Sequence, residues 1–329
     1  MKAFVYRTYG SPDVLTLEEI EKPVPKEDEL LIKVRAASVN PYDWHFLRGT
    51  PYFLRLMAGL RKPKEIRLGA DLAGVVESVG SKVTQFKPGD EVFGMAKGAF
   101  AEYACAVEAA VCLKPAKVTF EQAASLPIAG LTALQGLRDK CQIQAGQKLL
   151  VNGAAGGVGT FVVQIARWFG AEVTGVCSAR NVELVRSIGA DHVIDYAQED
   201  FTRSARRYDL IYDTVGNQSL SACRRVLAPT GVYVGIGGGG PDVHWMIGPI
   251  AGMLATALLA PFRSQKVLGL IAKRSHEDLK ILADLVQKCA IAPVIDRSYP
   301  LSELPAAIRY LEQGHARGKI LIAPQESNG

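Results

Sequence analysis

The residues best suited to chemistry in this 329-residue chain begin at Gly153-Ala154-Ala155-Gly156-Gly157-Val158-Gly159. The run fits the dinucleotide pattern as Ala154-x-Gly156-x-x-Gly159, with alanine in the usual first glycine position. Backbone N–H groups of such a loop, at the positive end of a helix, attract a pyrophosphate. Ala155, Gly156, Gly157 and Val158 are therefore the expected phosphate contacts. Gly156 would let the phosphates approach the backbone, and Gly159 would let helix and strand pack closely. An NAD site wants a carboxylate roughly twenty positions further on, for the ribose hydroxyls. This chain offers Cys177-Ser178-Ala179-Arg180-Asn181 there. Ser178 and Arg180 suit an adenosine 2′-phosphate instead, so NADPH is the expected cofactor. The six cysteines, at 105, 112, 141, 177, 223 and 289, form no CxxC pair and show no metal or disulfide-scaffold spacing. They read as buried free thiols in a reducing compartment.

Elements of definite kind must hold these residues. Lys148–Asn152 reads as an apolar strand; Val158, Phe161, Val162, Ile165, Ala166 and Phe169 form one helical stripe. Gly170 stands where a helix ends left-handed, and Glu172–Cys177 reads as the next strand. His192–Ile194, Leu210–Tyr212, a helix over 217–227 and a strand over 231–236 continue the alternation. The class is therefore α/β with a Rossmann, doubly wound parallel sheet. Residues 1 to about 120 read instead as short strands (Glu29–Ala37, Gly74–Val79, Glu91–Phe93, Phe100–Val107) punctuated by Pro and Gly, an all-β pattern suited to a partly open barrel. Thr119 caps a helix expected to run to Asp139, and Ser275 opens another over 276–289. Strand, helix and strand over 294–323 return to the first domain. The expected division is 1–122 with 293–329, and 123–292 for the dinucleotide domain.

Composition narrows the function. Apolar content is 48%, charged content 22%, and the formal charge of +5 is spread out, apart from a cluster at Arg55, Arg61, Lys62, Lys64 and Arg67. That excess favours anionic ligands without implying nucleic acid. Lys2–Tyr6 enters a strand directly, so no signal peptide is expected and the cytosol is the default. His244–Phe262 is apolar enough to approach a spanning helix, but Gly248, Pro249, Gly252 and Pro261 argue against one. Short helices over a substrate pocket, peripheral contact with a membrane, and a dimer contact all fit it. Lys266–Leu270 could pair across a two-fold axis.

Several motifs together resemble the medium-chain dehydrogenase/reductase superfamily, in its zinc-independent quinone oxidoreductase branch. They are Ser38-Val39-Asn40-Pro41-Tyr42-Asp43, Gly69-Ala70-Asp71-Leu72-Ala73-Gly74, Lys87-Pro88-Gly89-Asp90, Gly130-Leu131-Thr132-Ala133, the glycine loop, Asp213-Thr214-Val215-Gly216 and Gly314-His315-Ala316-Arg317-Gly318-Lys319. The resemblance implies a GroES-like β-barrel catalytic domain beside the Rossmann domain, and usually a homodimer. It implies hydride transfer from NADPH to a small quinone or enone. Asn40 and Thr132 would lie beside the nicotinamide ribose, Val215 and Ile236 would flank the nicotinamide, Tyr196 would meet the adenosine end, and Lys319 would lie near the cofactor cleft. Asn40 and Tyr42 are the catalytic candidates. Tyr42 and Tyr52 could each donate to substrate oxygen, with plain packing as the competing reading. Asp43 and Arg48 read as a structural ion pair, with an acid–base couple as the competing reading, and His45 and His315 as partly exposed hydrogen-bonding residues. Metal ligands of the family's zinc enzymes fall at Asn40 and Ala70, so no zinc is expected. An NADPH-binding redox sensor is the alternative function, and a zinc alcohol dehydrogenase a further one.

Overall fold

The computed structural model describes residues 1–236 and 264–323. His244–Phe262, for which three readings stand, and the tail after Pro324, expected to be disordered, lie outside the described residues. The chain runs β1 (Lys2–Val5), β2 (Thr16–Glu19), β3 (Glu29–Val39), α1 (Pro41–Arg48), α2 (Leu54–Ala58), β4 (Asp71–Val79), β5 (Glu91–Met95), β6 (Tyr103–Val107), β7 (Val111–Leu113), α3 (Phe120–Ala124) and α4 (Pro127–Gln135). It continues β8 (Lys148–Asn152), α5 (Gly157–Trp168), β9 (Glu172–Cys177), α6 (Val182–Ser187), β10 (His192–Asp195), β11 (Tyr208–Asp213), α7 (Leu220–Val226) and β12 (Leu227–Gly235). Then come β13 (Lys266–Gly269), α8 (His276–Gln287), β14 (Ile295–Pro300), α9 (Leu304–Glu312) and β15 (Lys319–Ala323). Contacts group them into two units: Met1–Leu131 with Arg274–Cys289 and Ile295–Gly329, and Thr132–Lys273 with Ala290–Val294.

The first unit is built on a seven-stranded sheet ordered β14-β15-β3-β4-β5-β7, with β6 also paired to β3. Only β14 and β15 run parallel; the other pairs are antiparallel. Two register breaks where β3 meets β4, at Leu31/Ile32 and Val34/Ala36, are of the kind that bend and twist a sheet. Phe4, Leu30, Ile32, Leu47, Leu72, Val92, Phe100, Ile308 and Ile320 fill its core. Mostly strands were expected before residue 120, yet α1 interrupts them. Its start is a proline at the first helical position after Asn40, where the missing N–H costs nothing. Its end is Gly49 at φ +59, the left-handed stop glycine takes most readily.

The second unit is a six-stranded sheet ordered β10-β9-β8-β11-β12-β13, parallel at every pairing. This is the doubly wound order, whose reversal lies between β8 and β11. β8 and β9 carry the expected bounds. α5 buries Phe161, Val162, Ile165 and Ala166, and Gly170 ends it at φ +80. The single helix expected over Thr119–Asp139 is three pieces: α3, α4 and a π-helical turn over Gly136–Cys141. Pro127 lacks the N–H that would continue α3, so the chain restarts there. Thr119 does cap α3, accepting from the Gln122 N–H at 3.2 Å.

Candidate active site

In the first unit, β3 ends at Val39, α1 starts at Pro41, and the residue between them is the centre of a buried polar cluster. Asn40 is 2% exposed, Asp71 and Asp43 are fully buried, and Lys319 is 3% exposed. Lys319, the first residue of β15, donates from Nζ to Asn40 Oδ1 at 2.5 Å and lies 3.7 Å from Asp71 Oδ2. Asn40 Nδ2 donates to Asp71 Oδ2 at 2.9 Å and to the Ser38 carbonyl at 3.1 Å. Asp71 also accepts from the Ser38 hydroxyl at 2.9 Å and from the Ile128 N–H, at the start of α4, at 3.1 Å. A lysine can only donate, and a carboxylate or a carbonyl only accept. The Asn40 amide orientation therefore follows from its neighbours' chemistry rather than from an arbitrary assignment. Both its N–H groups are used, and Oδ1 keeps one lone pair. Asn40 can accept a hydrogen bond from a ligand but has none left to give.

Burial pulls each charge toward neutrality. The Lys319 ammonium is held below its usual range by burial, opposed by Asp71 and Asp43. Asp71 is raised by burial and held back by Lys319 and Asn40. Asp43 is pushed up to about 7, first by burial and then by the neighbouring Asp71, against the Asn40 N–H that it accepts at 2.8 Å. Its second oxygen accepts from the Gly69 N–H at 3.2 Å. The expected Asp43–Arg48 pair does not form. Arg48 instead makes a two-pronged contact with Glu312 of α9, at 2.6 and 3.0 Å, because successive turns of α1 point Asp43 into the core and Arg48 toward that helix.

Tyr42, also on α1, is 43% exposed, and its ring packs on Phe46 at 4.4 Å. Its hydroxyl has no hydrogen-bond partner among the described residues; burial and the Asp43 charge raise its pKa. Tyr52 is 51% exposed, with the Arg55 guanidinium over its ring at 4.8 Å. His45 is half-buried and its Nδ1 bonds the Thr50 carbonyl at 2.8 Å, as expected; His315 is exposed.

In the second unit, the left-handed residue of the glycine turn is Gly153, at φ +85, with Ala154 buried behind it. A Cβ on Gly153 would strike Thr214 Oγ1 at 2.3 Å, so the glycine required for the turn stands one position before the place the pattern gives it. Gly156 caps α5, and among the described residues a Cβ there would meet only the Gly153 carbonyl oxygen, at 3.4 Å, with open space above it. A Cβ on Gly159 would lie 2.0 Å from that same oxygen. One glycine leaves room for a phosphate and the other seats the helix on the strand, so the loop fits a bound dinucleotide. Ser178 is half-buried and accepts from Asn181 Nδ2 at 3.2 Å; Arg180 is exposed at the tip of β9. The nearby Asp195 carboxylate is tied to its own turn through the Ala197 N–H and Gln198. Tyr196 is 56% and Val215 42% exposed, Ile236 is half-buried, and Thr132 is buried with its carbonyl accepting from Tyr212 at 2.7 Å.

Asp213 and Asp71 are the residues sequence reasoning quoted without giving a role. Asp213, 1% exposed, accepts from Asn152, from the N–H groups of Val215 and Gly216, and from the Tyr233 hydroxyl, all within 3.0 Å. It fixes the turn that exposes Val215 at the carboxyl end of β11. A lone charge at the edge of an apolar strand was the available signal, in Asp71-Leu72-Ala73 and again in Lys319-Ile320-Leu321.

Residues 26–116 match the family described as "Alcohol dehydrogenase GroES-like domain", and 188–322 the one described as "Zinc-binding dehydrogenase". A 2-methylene-furan-3-one reductase of Solanum lycopersicum is 37% identical over 98% of this chain and 79% of its own. The chloroplastic NADPH-dependent alkenal/one oxidoreductase of Arabidopsis thaliana is 35% identical over 98% of this chain and 80% of its own. The solved quinone oxidoreductase from Coxiella burnetii superposes with a TM-score of 0.86 at 32% identity, over 99% of both chains. Zinc does not fit the residues here. Ala70, at the histidine position, offers no ligand, and the Asn40 side chain is committed to Lys319, Asp71 and Ser38. Among the described residues no three His, Cys, Asp or Glu side chains gather to hold a metal. The chain belongs to the medium-chain dehydrogenase/reductase superfamily, in its quinone oxidoreductase branch.

Proposed function

We propose that this chain is an NADPH-dependent, zinc-independent reductase of quinones or α,β-unsaturated carbonyl compounds. The relatives' names support it: furanone, alkenal and quinone acceptors all carry a carbonyl conjugated to the carbon that receives hydride. NADPH supplies that hydride from its nicotinamide. With no metal to polarise the acceptor, charge arriving at the β-carbon must flow to the carbonyl oxygen, and a hydrogen-bond donor there lowers the barrier. The observation that carries the assignment of roles is that Asn40 is saturated as a donor while Tyr42 offers a half-exposed phenol with no partner among the described residues. Tyr42 donates to the developing oxyanion, and Asn40 accepts from a ribose hydroxyl, its amide held by Lys319 and Asp71. The carbon beside the carbonyl then takes its proton from solvent or the ribose hydroxyl. Ser178 and Arg180 hold the 2′-phosphate, and the glycine loop the pyrophosphate. Six free thiols suit a reducing compartment, with the cytosol as the expected one. The outer edge of β13, unpaired among the described residues, suits a homodimer.

NADPH oxidation by purified, metal-chelated protein tests the reading, with an alkyl vinyl ketone and a small 1,4-quinone offered in parallel. Turnover that survives chelation is expected, and the better acceptor separates enone from quinone reduction. Tight NADPH binding without turnover of either would replace this reading with that of a cofactor-binding sensor.

A further inference from the structure

A short segment of the first unit is folded inside out. Phe53, Leu56 and Met57 stand at i, i+3 and i+4 on α2 and its N-cap, so they share one face. That face points to solvent: Phe53 is 40%, Leu56 71% and Met57 73% exposed, and Leu60, just past the helix, is 68% exposed. The one charged residue of the helix is turned the other way. Arg55 Nε donates to the Gly49 carbonyl at 3.0 Å, Nη2 donates to the Arg48 carbonyl at 3.2 Å, and the guanidinium covers the Tyr9 ring at 4.5 Å. Exposed apolar side chains scattered singly are ordinary; four on one helical turn and its exit, with the arginine half-buried behind them, are not.

The chain then returns to this face carrying charge. Tyr9 donates to the Gly59 carbonyl at 2.6 Å and the Lys64 N–H to the Ala58 carbonyl at 2.8 Å, which closes residues 58–64 into a loop against the helix end. Arg61, Lys62 and Lys64 lie exposed on that loop and make no ion pair among the described residues. The nearest carboxylate in sequence, Glu65, is already engaged by Arg67 at 3.1 Å. Apolar side chains facing outward, bordered by three unneutralised cations, match the two layers that a protein meets at an anionic bilayer: acyl chains beneath, phosphate and carboxylate headgroups at the rim.

We propose that Phe53, Leu56, Met57 and Leu60, with Arg61, Lys62 and Lys64, form a docking surface for anionic phospholipid membranes. It lies within the first unit and does not depend on the reaction assigned to the protein. An acidic protein partner could satisfy the cations, but it would need a shaped surface to orient it, whereas a bilayer needs only the apolar face and the charge.

The test is sedimentation of the full chain with vesicles of phosphatidylcholine alone and of phosphatidylcholine mixed with phosphatidylserine. Binding at least roughly tenfold stronger to the mixed vesicles, weakening as salt rises, is expected. The pair Leu56→Ser with Met57→Ser, both exposed, should lose about tenfold in binding. Arg61→Gln, Lys62→Gln and Lys64→Gln together should lose on the order of a hundredfold and abolish the preference for phosphatidylserine. Thermal melting and NADPH binding confirm that the variants fold. Equal sedimentation with both vesicles, no sedimentation with either, or a Leu56/Met57 pair that binds like the parent would each overturn the proposal. So would a lipid-free light-scattering mass that falls on Leu56→Ser with Met57→Ser, which would assign the face to a second copy of the chain.

Discussion

Asn40 and Asp43 stand three residues apart at the start of one helix, and burial treats them differently. Asn40 is neutral and finds a partner for nearly every hydrogen-bonding position; Asp43 must either hold a charge in the core or take up a proton. Its carboxyl is pushed up to about 7 by burial and by Asp71, whereas in the unfolded chain it titrates near the ordinary aspartate value of 3.8. The folded protein therefore holds this proton more tightly. Stability from this group is full below about pH 4 and is lost as the pH rises through about 7. The parent protein should lose on the order of 2–3 kcal/mol between about pH 5 and about pH 8 through this residue. Asp43→Asn should flatten that slope in thermal melts; an unchanged slope would assign it to another group. A second residue-scale outcome concerns the cofactor. Arg180→Ala should weaken NADPH binding by roughly 1.5–3 kcal/mol, the worth of a charge-assisted hydrogen bond, and leave NADH binding nearly unchanged by calorimetry. Equal losses for both cofactors would remove Arg180 from the 2′-phosphate. The candidacy of Arg180 rests on a strand tip that lacks the carboxylate NAD needs. The Lys319–Asn40 contact was not legible in the sequence, since 279 residues separate the partners and only the pairing of β15 with β3 brings them together.

At the scale of elements, the sequence spoke most clearly where one period ran unbroken. α5 shows its stripe, its glycine loop and its terminating Gly170, and the structure follows each. It was least clear where a tertiary contact overrides the local pattern, as at Pro127, which splits an otherwise continuous apolar stretch, and in α1, hidden among strands but fixed by Pro41 and Gly49. All six thiols are expected to be buried, yet Cys105 is half-buried on β6 and Cys289 is exposed, because it follows the end of α8 at φ +57. The glycine loop allows a sharper test of how an element serves a site. At Gly156, with φ −80, alanine is conformationally allowed, and its methyl would project into open space. Gly156→Ala should therefore melt like the parent yet bind NADPH more weakly, because the methyl takes the room left for phosphate. At Gly159 the methyl would overlap a backbone oxygen, and the helix must shift from the strand. Gly159→Ala should lose roughly 1–3 kcal/mol of stability along with its cofactor affinity. If both variants lose stability alike, the division between a phosphate glycine and a packing glycine is wrong.

At the scale of the whole molecule, the sheet of the second unit ends on β13, a four-residue strand whose outer edge is unpaired among the described residues. Open edges invite further pairing, and proteins usually guard them with proline, a bulge or clustered charge. β13 has one lysine at its start and then Val267, Leu268 and Gly269, followed at two residues' distance by Ile271, 92% exposed. An edge so lightly guarded is satisfied most simply by its own copy. A two-fold axis would set the two β13 strands antiparallel, continuing one sheet through both subunits without leaving either edge free. Light scattering should give twice the 35.4 kDa chain mass, and hydrogen exchange of the Lys266–Gly269 amides should slow in the dimer and quicken on dilution below its dissociation constant. A monomer, or a dimer whose β13 amides exchange as fast as a frayed end, would place the subunit contact elsewhere and leave this edge unprotected in solution.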